Sequence, residues 1–153
     1  MSILGSFTGG AGVHYVASRL NARGYHVALT VGNVPAVDLL VSRADGASSV
    51  SLQVKTSQWA LRTRGRGENK KPNHYEWDIG WNCARLNRGD LIFALVDLKN
   101  FEELPDVFFI PSKVIAKYFA AGPENWPRAR YHPAIAHVEP FKNNWETLSK
   151  LLN

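Results

Sequence analysis

The chain has 153 residues, 45% of them hydrophobic and 20% charged, and a formal net charge of +5. That length suits one domain, residues 1–153, able to bury a core without a staple, and the composition excludes a disordered chain. The single Cys83 excludes an internal disulfide framework and a Cys-rich zinc module, and the apolar runs fall short of the roughly 20 residues of a membrane span. Val13, Val16, Ala17 and Leu20 recur at the spacing of one buried helix face, and Gly24 after Arg23 is the expected left-handed stop. Thr8 to Gly12 carries three glycines without a preceding strand or a following Gly-Lys-Ser/Thr, so it reads as a flexible lead-in and not a phosphate loop. The start of the chain lacks a secretory leader, which points to a reduced, cytoplasmic protein.

Three strands follow. Tyr25 to Val31 alternates, with Tyr25, Val27, Leu29 and Val31 on one side. Val37 to Ser42 puts Asp38 on the face away from Val37, Leu39 and Val41, and Ser49 to Thr56 sets Gln53 and Lys55 opposite Val50, Leu52 and Val54. The connections Gly32-Asn33-Val34-Pro35 and Asp45-Gly46 are short and use hairpin residues, so the strands form an antiparallel meander. Residues 57–74 are polar and basic and read as a mobile loop, with extended chain from His74 to Ile79 and a short helix near Trp81–Leu86. Leu91 to Leu98 is an almost unbroken apolar run, the mark of a strand buried on both faces. Val107–Ile110 is a further strand. Pro111 and Ser112 open a helix that Gly122 stops, residues 123–138 are irregular, and a last helix runs from about Phe141 to Leu152.

Two features carry chemistry. A meander brings Asp38 beside Gln53, and Lys55 shares the face of Gln53 two residues on. A carboxylate with an amide oxygen suits a hard divalent cation such as Mg²⁺, and an adjacent lysine steadies an attacking water or a developing negative charge. The second feature is charge. Lys55, Arg62, Arg64, Arg66, Lys70 and Lys71 face the single acid Glu68, an excess equal to that of the whole chain. Trp59, His74, Tyr75 and Trp77 interleave with them, a pattern suited to phosphates and unpaired bases. His132, His137 and Glu139 match no zinc spacing and read as packing or surface residues.

The helix, the strand after Gly24-Tyr25, Val37-Asp38-Leu39-Leu40-Val41 and Leu52-Gln53-Val54-Lys55-Thr56 together resemble the core of the PD-(D/E)XK, or restriction-endonuclease-like, nuclease superfamily. The resemblance covers about residues 9 to 57, and extends to a small bacterial branch with Gln-Val-Lys-Thr and a later Pro-Ser-Lys helix. It implies an α/β fold with an αβββαβ core, a mixed sheet flanked by helices, and Mg²⁺- or Mn²⁺-dependent cleavage of phosphodiester bonds. By the same resemblance Asp38, Gln53 and the Val54 carbonyl hold the metal, Lys55 is the catalytic lysine, and His14 stands near the position of a first-helix acid. Arg62, Arg64, Arg66, Lys70 and Lys71 would contact nucleic acid, DNA in preference to RNA. Gln53 replaces the usual carboxylate, as in Mrr-like enzymes, so two readings stand open: an active nuclease, or a degenerate nuclease-fold module that binds nucleic acid or a protein. A homodimer is compatible with either.

Overall fold

The computed structural model describes residues 3–32, 35–68 and 70–153, with the Ile3 side chain excepted. Asn33 and Val34 of the first expected turn lie outside the described residues. The chain opens with α1 (Ile3–Asn21), followed by β1 (His26–Leu29), β2 (Leu39–Ser42) and β3 (Ser49–Ser57). Next come three two-residue strands, β4 (Leu61–Arg62), β5 (His74–Tyr75) and β6 (Trp77–Asp78), then α2 (Trp81–Ala84) and β7 (Leu91–Asp97). The second half holds β8 (Asp106–Pro111), α3 (Ser112–Ala121), β9 (Arg130–Tyr131), α4 (Ile135–Val138) and α5 (Glu146–Leu152).

β1, β2, β3, β7 and β8 form one sheet in that order, antiparallel except for the parallel pair β3–β7. The expected α/β architecture, a mixed sheet flanked by helices, is therefore present. β7 lies between β3 and β8 and is buried at every position, which explains its unbroken apolar run. On one face Val50, Leu52, Val54, Ile92, Ala94 and Val96 pack against Val16, Ala17 and Leu20 of α1 and Leu148 and Leu152 of α5. On the other, Leu91, Phe93, Leu95, Phe108 and Ile110 meet Tyr75, Trp77, Ile79, Cys83, Ile115 and Tyr131.

Several expectations change. The glycines at 9, 10 and 12 lie inside α1, which starts at Ile3, not after a flexible lead-in. Gly12 has a packing reason to be there: a Cβ would collide with Thr56 Oγ1, so the missing side chain lets α1 press directly on β3. The strand expected over Tyr25–Val31 is confined to His26–Leu29 at the sheet edge, so Val31 lies beyond it and both Leu29 and Val31 are exposed. Residues 57–74 are not wholly loop, since Leu61 pairs with Tyr75 and Arg62 with His74 to make a ribbon. The last helix begins at Glu146, after a 3₁₀ turn at Glu139–Phe141 and a left-handed Asn143 (φ 50) that no α-helix accommodates. Among the described residues no helix is long and apolar enough to cross a membrane.

Candidate functional site

β2 starts at Leu39, not at the expected Val37, and its ladder with β3 begins at Leu39↔Leu52, so Asp38 stands just before the strand and is set beside Gln53 by hydrogen bonds rather than by ladder pairing. The backbone holds Asp38 from both sides. Its N–H donates to Leu52 O at 2.8 Å, and its carbonyl accepts the Thr30 N–H at 3.0 Å. The Thr30 hydroxyl donates to Val37 O at 2.7 Å and tightens the same turn. Val54 lies past the last β2–β3 pair, so its N–H has no strand partner on that side. Asp38 Oδ2 supplies one, accepting the Val54 N–H at 2.7 Å and Gln53 Nε2 at 2.5 Å. The other end of the amide, Gln53 Oε1, is 3.9 Å from the Cys83 sulfur of α2.

Lys55 follows two residues along β3, opposite Leu95 in the parallel register. Strand parity puts it on the face of Gln53, away from α1. It is half-buried, and its ammonium has no hydrogen bond or ion pair among the described residues. Asp38, Gln53 and Lys55 thus come together as one polar row. His14 does not join them. It is exposed on α1, the helix that covers the opposite face of the sheet.

No group of three or more His, Cys, Asp or Glu side chains is placed to hold a metal among the described residues. The donors available are the Asp38 carboxylate, the Gln53 amide oxygen and the Val54 carbonyl, which points to the same strand edge as the Val54 N–H. One carboxylate with neutral oxygens fits a hard cation that keeps several waters. As oriented, however, Gln53 turns its amide nitrogen toward Asp38 and its oxygen toward Cys83. The set fits a cation once that amide turns over, because the carbonyl oxygen then stands beside the carboxylate.

The basic residues occupy the ribbon. Arg62, Arg64, Arg66, Lys70 and Lys71 are all exposed. The Arg62 guanidinium donates to Trp59 O. Asn73 latches the neck of the loop: its side-chain oxygen accepts the Arg64 N–H at 3.2 Å and its amide donates to Arg64 O at 3.1 Å. Of the four interleaved aromatic and imidazole side chains, only Trp59 stays exposed, at 38%. His74 is buried beneath the ribbon, while Tyr75 and Trp77 stack at 5.3 Å and close on Phe108. Burial, then the Arg64 charge, holds the His74 imidazole below its usual range, so at neutral pH it adds no cation to the ribbon.

One cluster is not evident from the sequence. Asp97 and Asp106 face each other in the β7–β8 register and are both buried. Asp97 Oδ1 accepts the Ala60 N–H at 2.9 Å and the Lys99 N–H at 3.2 Å, which fixes the start of the ribbon. Asp106 takes the Lys99 ammonium at 2.8 Å and Asn143 Nδ2 at 2.8 Å. A carboxylate closing each of two apolar strands was the signal available for it. The cluster's partners are two backbone N–H groups and the Lys99, Lys142 and Asn143 side chains, so it anchors structure beside the site.

No family model matches the chain, and no curated protein matches it in sequence. Among solved structures it is similar to a bacterial homing endonuclease, I-Ssp6803I, with a TM-score of 0.59 and 15% sequence identity. The match covers 95% of this chain and 91% of that one. At that identity the likeness is one of fold, and it spans nearly the whole of both chains.

Proposed function

We propose that this chain is a divalent-metal-dependent endonuclease of the PD-(D/E)XK type, acting on DNA. The observation that carries the reading is the group Asp38–Gln53–Lys55, in which an acid and an amide meet side chain to side chain and an ammonium without a partner among the described residues lies two residues further along β3. The fold shared with a homing endonuclease supports it. Asp38, Gln53 and the Val54 carbonyl would hold Mg²⁺ or Mn²⁺, which when bound polarises a phosphodiester and lowers the pKa of a water. Asp38 would supply the formal charge, and Gln53, its amide turned over, would set a neutral oxygen beside it. Lys55, with no partner of its own, is free to steady the attacking water or the charge that builds on the phosphate. The exposed ribbon cations hold the backbone of the nucleic acid, with DNA preferred over RNA.

The Gln53–Asp38 hydrogen bond favours a second reading. A carboxylate already satisfied by an amide and a backbone N–H is what a degenerate site, kept for binding alone, would contain. Titration calorimetry with Mn²⁺ and Mg²⁺, run beside plasmid nicking, separates the two for wild type, Asp38→Ala and Gln53→Glu. An active site predicts that Asp38→Ala loses nicking by at least the 10- to 100-fold that even outer-sphere metal partners are worth, roughly. Gln53→Glu adds a charge worth up to about 4 kcal/mol at 4 Å and a dielectric near 20, and should tighten the metal. Unaltered metal affinity and nicking in both variants would leave only the binding module. In either reading, neutralising Arg62, Arg64 and Arg66 together should flatten the plot of log affinity against log salt by about two to three units.

A further inference from the structure

Next to the ribbon lies a groove of about 320 Å³ lined by Trp126, Pro127, Arg128, Arg130 and His132. Its size is at the small end for ligand sites, which run from about 300 Å³ upward. One wall is apolar. The half-buried Trp126 indole is seated by Gly122, where a Cβ would come within 3.0 Å of two ring atoms, and its carbonyl accepts Trp81 Nε1 at 3.2 Å. The rim is cationic. The Arg130 N–H donates to Arg128 O at 3.0 Å, a tight bend that sets the two arginines side by side. Arg128 is exposed with no ion pair among the described residues. Arg130 meets Glu76 at 3.6 Å, and both are partly open to water, so a phosphate can compete for that guanidinium.

The groove and the ribbon form one surface. His74, at the base of the ribbon, bridges to Ala134 just past the groove. Arg64 from the ribbon is near enough to act on both His74 and His132. Burial first, then the Arg64 and Arg130 charges, hold the His132 imidazole below its usual range against the opposing pull of Glu76. It is therefore neutral at pH 7, with Nδ1 3.4 Å from the Tyr118 hydroxyl and Nε2 left for the groove. The groove is also tied to the polar row through α2, since Trp81 holds Trp126 and Cys83, two residues on, touches Gln53.

Resting on the nucleic-acid reading above, we propose that this groove holds a single unpaired nucleotide beside a duplex gripped by the ribbon. Its base lies against Trp126 and its phosphate between Arg128 and Arg130. A flat aromatic wall is indifferent to base identity, a neutral imidazole satisfies base-edge groups, and the paired guanidiniums match a phosphate. The surface thus distinguishes a duplex with an unpaired nucleotide from a blunt one.

Fluorescence anisotropy tests it without divalent metal, so that cleavage plays no part. The probes are a labelled blunt duplex and the same duplex with one unpaired 3′ nucleotide. Wild type should bind the second about 10-fold more tightly, the effect of one stacked base. Trp126→Leu should erase that difference and leave the blunt duplex unchanged. Arg128→Ala, at an exposed position that tolerates truncation, should lower the salt slope by about one on the unpaired probe alone, and it decides the matter if Trp126→Leu folds poorly. Equal affinity of wild type for the two probes, or variants that weaken both equally, would overturn the proposal while leaving Asp38-dependent nicking intact. Conversely, discrimination that survives in a protein without nicking would sustain the groove and remove the nuclease. Failure of wild type to bind either probe at low salt overturns both.

Discussion

The two faces of β3 are built from the same nine residues and hold different chemistry. Toward α1 the row is Val50, Leu52 and Val54, closed by helices on a dry aliphatic layer. Toward α2 the row is Ser51, Gln53 and Lys55, bordered by aromatic rings and continued across the sheet by Asp97 and Asp106. Since side chains alternate, a slip of one residue would exchange the two rows entirely. The aliphatic row therefore fixes the register, and the register delivers Asp38 to Gln53. An interior strand packs at least as well with apolar side chains on both faces. The polar row is retained at a cost in stability, which is the expected cost of a working surface.

Breaking each face separately should show this division. The largest effect belongs to the aliphatic row: Leu52→Ala, at a position with no exposure, should cost about 2–5 kcal/mol in urea unfolding. The folded fraction should keep the metal affinity of wild type. A weaker metal site in that variant would mean the faces are not independent. A smaller loss, about 1–3 kcal/mol, is expected for Asp38→Ala, which strips the Val54 N–H and the Gln53 amide of their acceptor in a half-buried place. Here metal affinity and nicking should fall together with stability, and Asp38→Asn should recover part of the stability but not the metal.

The smallest effect sharpens the comparison at the far end of the polar face. Burial pushes the Asp97 carboxyl above its ordinary value of 3.8, against the backbone N–H groups of Ala60 and Lys99. Burial also raises Asp106, but the Lys99 and Asn143 hydrogen bonds and the Lys142 charge outweigh it and hold that carboxyl below 3.8. The signs are therefore opposite. Asp97 binds its proton more tightly when folded, so its contribution improves as pH falls from neutral through its folded pKa. Asp106 binds its proton less tightly when folded, so its contribution is complete above 3.8 and is lost as pH falls through its lower folded value. Urea midpoints measured from neutral to about pH 3 should show wild type gaining on Asp97→Asn before the Asp106 loss sets in. Parallel curves for the two proteins would show that Asp97 has no role in the balance.

Much of this was legible from residue spacing. Period-two alternation places Gln53 and Lys55 on one face, the short turns of the meander bring Asp38 beside them, and the apolar run from Leu91 announces a strand covered on both sides. The same logic also bears on His14: it lies off the stripe of Val13, Val16, Ala17 and Leu20, and the helix accordingly turns it to solvent. The start of α1 was obscured because the glycines near its N-terminus are poor helix formers, and only contact with Thr56 explains Gly12. The ribbon was obscured for another reason. Two-residue strands separated by more than ten residues carry no periodicity, and their pairing rests on the Asn73 latch and on anchors such as Asp97, which local sequence does not report.

The parallel pairing of β3 with β7 has a consequence for how such a chain can diversify. Parallel neighbours need a long crossover, and here residues 58–90 supply it, carrying the basic ribbon between the strand with Lys55 and its partner. The crossover is already long, so doubling a flexible part of it would add only about 0.6 kcal/mol of closure entropy. Lengthening, shortening or exchanging the ribbon tip between Arg64 and Asn73 leaves every strand of the sheet in place. The chain is in effect a fixed sheet with an exchangeable insertion, and foreign tips can be grafted onto the Arg64–Asn73 neck without disturbing a strand.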